Sequence, residues 1–122
     1  MFYGIIFILA SHIATCGWII LASITSESPD YAGTWLANFF LDGEKHTDSS
    51  IYYISFYWCI TTITTVGYGD ISGTNNTERM FCCFVMVVGV IMFSLANGAL
   101  ASIISQEDNG IGGFDDKINA LN

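Results

Sequence analysis

The chain has 122 residues, 52% of them hydrophobic and only 11% charged, with a formal net charge of −8. An ordinary soluble domain is about a quarter charged, and one this small has too little interior to hide so much apolar surface, so the composition indicates a membrane protein. Lys45, Arg79 and Lys117 are the only lysines and arginines, so the basic stripe that a phosphate backbone requires is missing and nucleic acid is excluded as a partner.

Residues 1–24, MFYGIIFILASHIATCGWIILASI, contain no formally charged residue. As a helix they would reach about 36 Å, enough to cross a hydrocarbon core of about 30 Å. The run has no basic flank and is too long for the core of a cleaved signal peptide, so we expect an outer membrane helix. His12 sits inside it, and an ionisable residue at membrane depth is a functional candidate. Residues 25–50 are polar at both ends, with Pro29 and Gly33 as turn signals and an apolar patch from Trp35 to Leu41. They read as a loop whose patch packs on neighbouring protein.

Residues 51–64, IYYISFYWCITTIT, are apolar around the whole circumference of a helix. They should be buried, yet would reach only about 21 Å and cannot cross. A segment of this kind is expected to be re-entrant, covered at membrane depth by other protein. Residues 80–105 form a second uncharged run, bounded by Arg79 before and by Glu107 and Asp108 after, and are expected to span. Within it Ser94, Gly98 and Ser102 recur every fourth residue, a face suited to close helix packing. In residues 106–122, Gly110, Gly112 and Gly113 read as a flexible joint. Phe114, Ile118 and Leu121 then resume helical spacing. Glu107, Asp108, Asp115 and Asp116 fit no EF-hand spacing and read as a solvated acidic tail.

Cys16, Cys59, Cys82 and Cys83 all lie in apolar runs, which argues for free, buried thiols over a disulfide framework. Asn75, Asn76 and Thr77 form a glycosylation sequon at Asn75. From Glu27 to Arg79 there are seven acids and two bases, a net −5 per chain, a field that concentrates cations.

Directly after the short helix stand Thr64, Thr65, Val66, Gly67, Tyr68, Gly69 and Asp70. The string TVGYGD arises by chance at about 10⁻⁸ per position on average residue frequencies. Gly67 and Gly69 do not make a dinucleotide fingerprint, because the third glycine would fall at Ser72. The segment resembles the selectivity filter of potassium channels, and about 100 residues from Met1 to Ser105 resemble their pore module. His12 in SHIATCGW and the glycines of the last span resemble the ether-à-go-go and cyclic-nucleotide-gated branch.

The resemblance implies an all-α membrane protein: an outer transmembrane helix (1–24), an extracellular turret (25–50), a re-entrant pore helix (51–64), an extended selectivity filter (65–70), an extracellular loop (71–79), an inner transmembrane helix (80–105) and a cytoplasmic linker (106–122). It implies that backbone carbonyls of Thr65, Val66, Gly67, Tyr68 and Gly69, with the Thr65 hydroxyl, coordinate K⁺ in place of water. One chain supplies one carbonyl per level, so the motif requires three further pore subunits, as a homotetramer or a heterotetramer, in the lipid bilayer. Gly67 and Gly69 are expected to supply the backbone freedom that aligns the carbonyls, with Val66 and Tyr68 packing outward from the axis.

By the same resemblance Phe56, Tyr57 and Trp58 form an aromatic cuff, with the Trp58 indole bonding the Tyr68 hydroxyl of an adjacent subunit. Asp70 stands at the outer mouth, where its usual tryptophan partner is replaced by Tyr57. Thr61 stands where some bacterial members carry glutamate. Gly89 and Gly98 match gating-hinge glycines, and His12 matches a histidine with a structural, hydrogen-bonded role.

The resemblance places the protein in the plasma membrane with both termini cytoplasmic. Charge does not set this orientation, since Lys45 and Arg79 fall on the outer side and only Lys117 on the inner. The implied function is passive, selective K⁺ permeation, with no enzyme chemistry. Two other functions fit the same helices: a non-conducting subunit that modifies longer channels, and a non-selective cation channel, against which the intact Gly67-Tyr68-Gly69 argues. Within these residues no helix carries arginine at every third position, the pattern of a voltage sensor. The chain fits either a two-span pore or a piece of a six-span subunit.

Overall fold

The computed structural model describes residues 2–40 and 47–122. Among them are four helices and no strand: α1 (Phe2–Thr25), α2 (Trp35–Phe39), α3 (Asp48–Ile63) and α4 (Asn76–Leu121). Expectations that fell on Met1, Leu41 and Lys45 lie outside the described residues. The protein is an all-α membrane protein in which α1 and α4 are long and apolar enough to span, while α3 packs against both. Large apolar side chains on the outer surfaces of α1 and α4 stay exposed, with Ile13 at 67% and Met80 at 71%. In water these faces would aggregate, whereas hydrocarbon is their natural solvent.

Trp18 is fully buried and lies at the centre of the packing. Its indole stacks on Trp58 of α3 at 4.2 Å and on Trp35 of α2 at 5.2 Å, with Phe81 of α4 at 6.0 Å, all within 13° of parallel. One ring from each helix therefore meets in a single stack. Gly17 lets the last of them approach, since a Cβ there would lie 2.9 Å from the Phe81 ring. The Trp18 Nε1 is buried with no hydrogen-bond partner, a cost of about 1–3 kcal/mol that the stack has to exceed.

The α1–α3 contact is built from small side chains. Ser11 and Thr15 on α1 and Ser55 on α3 are completely buried, and each hydroxyl donates to the carbonyl four residues back, at 2.8, 2.7 and 2.7 Å. Self-satisfied hydroxyls of this kind let helices meet closely inside a membrane. The Cys59 thiol donates across to the Ser11 carbonyl at 3.4 Å. Lower on the same side His12 Nδ1 and the Tyr52 hydroxyl lie 2.8 Å apart, so the intramembrane histidine ties α1 to α3.

Helix α4 differs from expectation at both ends. It starts four residues before residue 80 because Asn75 and Glu78 form a capping box, with Asn75 Oδ1 accepting from the Glu78 amide at 2.8 Å. It also runs unbroken through Gly110, Gly112 and Gly113, where a flexible joint was expected. Glycine only weakens a helix, by about 1 kcal/mol each relative to alanine, and no proline follows to break it. The four cysteines are free, but only Cys59 and Cys82 are buried. Cys83 is exposed and lines an open cavity beside Gly67 to Asp70.

Replacing Trp18 by Ala removes the shared ring of the stack. Trp18→Ala should cost about 3–5 kcal/mol in thermal unfolding in detergent micelles, while Ile13→Ala on the lipid-facing surface should stay within about 0.5 kcal/mol.

Candidate functional site

The end of α3 is shaped by threonines. Thr61 and Thr62 hydroxyls both donate to the Trp58 carbonyl, at 2.9 and 2.8 Å, and Thr64 donates to the Ile60 carbonyl at 2.7 Å. The chain then leaves the helix under tight control. The Thr65 amide donates to the Thr62 carbonyl at 3.2 Å, and the Val66 and Gly67 amides both donate to the Thr61 carbonyl, at 2.9 and 3.0 Å. Two successive amides point back into the helix terminus, so the carbonyls of the strand are left free of it.

Backbone φ is positive at Thr65 (64°), Gly67 (55°) and Gly69 (78°), every second residue of the segment. This alternation departs from a regular extended strand, in which successive peptide groups point to opposite sides. Glycine was expected to supply the freedom, and it does so at two of the three positions. At Thr65 the left-handed conformation is carried by a β-branched residue, a strained choice costing about 1–2 kcal/mol. The cue was absent from composition, because threonine normally avoids this region.

Tyr68 turns back on α3 and stacks on Tyr57, 6.4 Å between centroids and 5° from parallel. The Tyr57 hydroxyl donates to the Asp70 carboxylate, and this bond, chiefly, holds the phenol above its usual pKa. In this chain Tyr57 is the aromatic residue beside Asp70. Asp70 Oδ1 also accepts from the Ile71 amide at 3.2 Å, and Ile71 is buried. Trp58, next to Tyr57 in sequence, faces the opposite way into the Trp18 stack. It supports the strand through the helix that carries it.

The segment after Asp70 is pinned to the start of α4. A Cβ on Gly73 would lie 3.0 Å from the Arg79 amide nitrogen, and the Arg79 side chain donates to the Gly73 carbonyl at 3.3 Å. Glu78 is completely buried. Its carboxylate accepts from the Thr74 amide at 2.8 Å and from the Trp35 amide at 3.1 and 3.2 Å. Glu78 therefore does not belong to the exposed acidic surface in which it was counted. The sequence signal for it was the Asn75 to Glu78 capping spacing, which overlaps the sequon. The Asn75 side-chain Nδ2 donates to Thr25 Oγ1 and the Gly33 carbonyl, both at 3.2 Å.

The two expected hinge glycines differ. A Cβ on Gly89 would lie 3.1 Å from Ile63 Cα, so Gly89 is where α4 meets the end of α3. Gly98 has open space around it and, with Ser94 and Ser102, lines a groove beside Phe2 and Tyr3. The small-residue face expected to pack closely is thus turned to a groove within this chain.

A family model described as "Ion channel" matches residues 5–106. Among curated proteins, the chain is 34% identical over 108 residues to the potassium channel AKT6 of Arabidopsis thaliana, covering 86% of this chain and 12% of that one. It is 30% identical over 113 residues to the potassium channel AKT1 of Oryza sativa subsp. indica, covering 93% and 12%. It is 26% identical over 128 residues to the potassium voltage-gated channel unc-103 of Caenorhabditis elegans, covering 94% and 15%. The chain thus spans about an eighth of the length of these relatives.

The Tyr57 to Asp70 bond has a defined pH window. A phenol with a raised pKa stays protonated, so the bond persists at every pH below the ordinary phenol value of 10.0 and is lost only as pH rises through the higher folded value. In an alkaline tyrosinate titration, Tyr57→Phe should remove a phenol that ionises above its ordinary value of 10.0.

Proposed function

Because the chain belongs to the ion channel family, we propose that four copies surround an axis and conduct K⁺ passively and selectively across the plasma membrane. The carbonyls of Thr65, Val66, Gly67, Tyr68 and Gly69, with the Thr65 hydroxyl, replace the hydration shell of the ion. The observation that carries this reading is the positive φ at Thr65, Gly67 and Gly69, combined with amides tied back to the Thr61 carbonyl. A segment held in this way has the amides of Thr65, Val66 and Gly67 occupied by the helix end, which supports a role for its carbonyls elsewhere. Three further subunits, alike or longer, complete each ring of oxygens.

Electrostatics support a cation. The carbonyl end of α3, at C-cap Thr64, carries about half a negative elementary charge and aims at the inner end of the filter. Four such ends stabilise a partly dehydrated ion there. Tyr57 and Asp70 hold the filter from behind and at its outer mouth, while Trp58, turned into the Trp18 stack, anchors the helix that carries it instead of meeting the Tyr68 hydroxyl of an adjacent subunit. Gly89 and Gly98 act as hinges of the inner helix, with both termini on the cytoplasmic side. The acidic turret draws cations to the entrance. The potassium channels among the relatives agree with this substrate.

Purified protein in liposomes should carry K⁺ flux far above Na⁺ flux, and equal fluxes would overturn the proposal. Gly67→Ala, which forces a Cβ onto a φ of 55°, should lower K⁺ flux at least tenfold, in line with a penalty of about 1–2 kcal/mol in each of four subunits.

A further inference from the structure

Glu78 is an acidic side chain with no solvent exposure that lies outside the proposed filter. It sits where three parts of the chain converge. Through Trp35 it holds the first residue of α2, whose N-cap Thr34 makes no side-chain cap of its own. Through Thr74, and the Asn75 amide at 3.4 Å, it holds the loop that leaves the filter. Its own amide is fixed by Asn75. A carboxylate accepting only from backbone amides keeps its charge buried because those donors replace water, and no neutral side chain of the same shape offers acceptors alone.

The same Trp35 donates its indole N–H to the Trp18 carbonyl at 3.3 Å and stacks on Trp18, which stacks on Trp58 of α3. The segment that enters the filter and the segment that leaves it are therefore fastened to one node, from opposite sides. Gly73 and Arg79 stiffen the exit further, leaving a Cβ no room.

Resting on the pore reading above, we propose that Glu78 is a positioning residue that locks the turret helix α2 to the filter's exit, so that the turret sets filter geometry and ion discrimination. Displacing α2 then loosens the filter without any contact with the ion.

The test compares the full chain with Glu78→Gln, which puts an NH₂ among amide donors, and Glu78→Asp, which keeps the charge on an arm one methylene shorter. Amide hydrogen exchange in nanodiscs should accelerate together, about tenfold or more, in the peptides holding Trp35 and Thr74, while α1 around Ser11 stays protected. In liposomes both variants should lower the K⁺ to Na⁺ flux ratio, a quantity independent of how much protein is folded. Should Glu78→Gln fail to assemble, Glu78→Asp supplies the same two readouts. Acceleration in only one peptide, or release of both with an unchanged flux ratio, overturns the proposal. If the unmodified chain admits both ions equally, the pore reading falls and takes the effect on discrimination with it, whereas the exchange data still judge the lock itself.

Discussion

Trp18 meets near-parallel rings from three other helices, and the rest of the structure depends on that arrangement. In hydrocarbon, apolar burial gives helices little reason to associate, because lipid tails are as apolar as leucine. Association has to come from shape and from specific contacts. Aromatic stacking contributes about 0.5–1.5 kcal/mol per pair beyond area burial, and three pairs share one residue here. The small hydroxyl-bearing face formed by Ser11, Thr15 and Ser55 allows the backbones to approach closely enough for the rings to meet.

Positioning of α3 by this stack determines where the proposed filter begins. The strained φ at Thr65 costs about 1–2 kcal/mol, and the paired amide bonds to the Thr61 carbonyl return about 0.5–1.5 kcal/mol each. These nearly cancel. The strand consequently has little stability of its own and takes its shape from what encloses it: Tyr57 and Asp70 behind and above, Ile71 in the core, and the Glu78 node beyond. Strain kept in place by surroundings is a common property of functional segments.

Much of the fold and the core of the candidate site could be read directly. The two uncharged runs, the short apolar segment and the Thr65 to Asp70 string are local signals, and local signals survive in one dimension. Contacts between distant residues do not. Trp18, Trp35 and Trp58 are separated by turns and by α2, so nothing in their spacing announces a stack. Glu78 reads as one more loop acid because its donors are backbone amides up to 43 residues away, and amides carry no residue type. Gly110 to Gly113 misled for the opposite reason: a strong local propensity yields to an otherwise helix-compatible neighbourhood. The sequon at Asn75 shows how one side chain can satisfy two patterns, of which the structure uses the cap.

The unbroken course of α4 turns the inner helix into a lever. Its 46 residues would extend about 69 Å, more than twice the hydrocarbon thickness of about 30 Å. Its fulcrum is the close contact of Gly89 with Ile63, beside the base of the filter. The arm from there to Leu121 is about 48 Å long, so each degree of tilt sweeps the far end by roughly 0.8 Å. In a channel working as proposed, a force at the distal tip would reach the base of the filter with a large mechanical advantage as long as the helix stays straight, and a bend at Gly98 would shorten that arm.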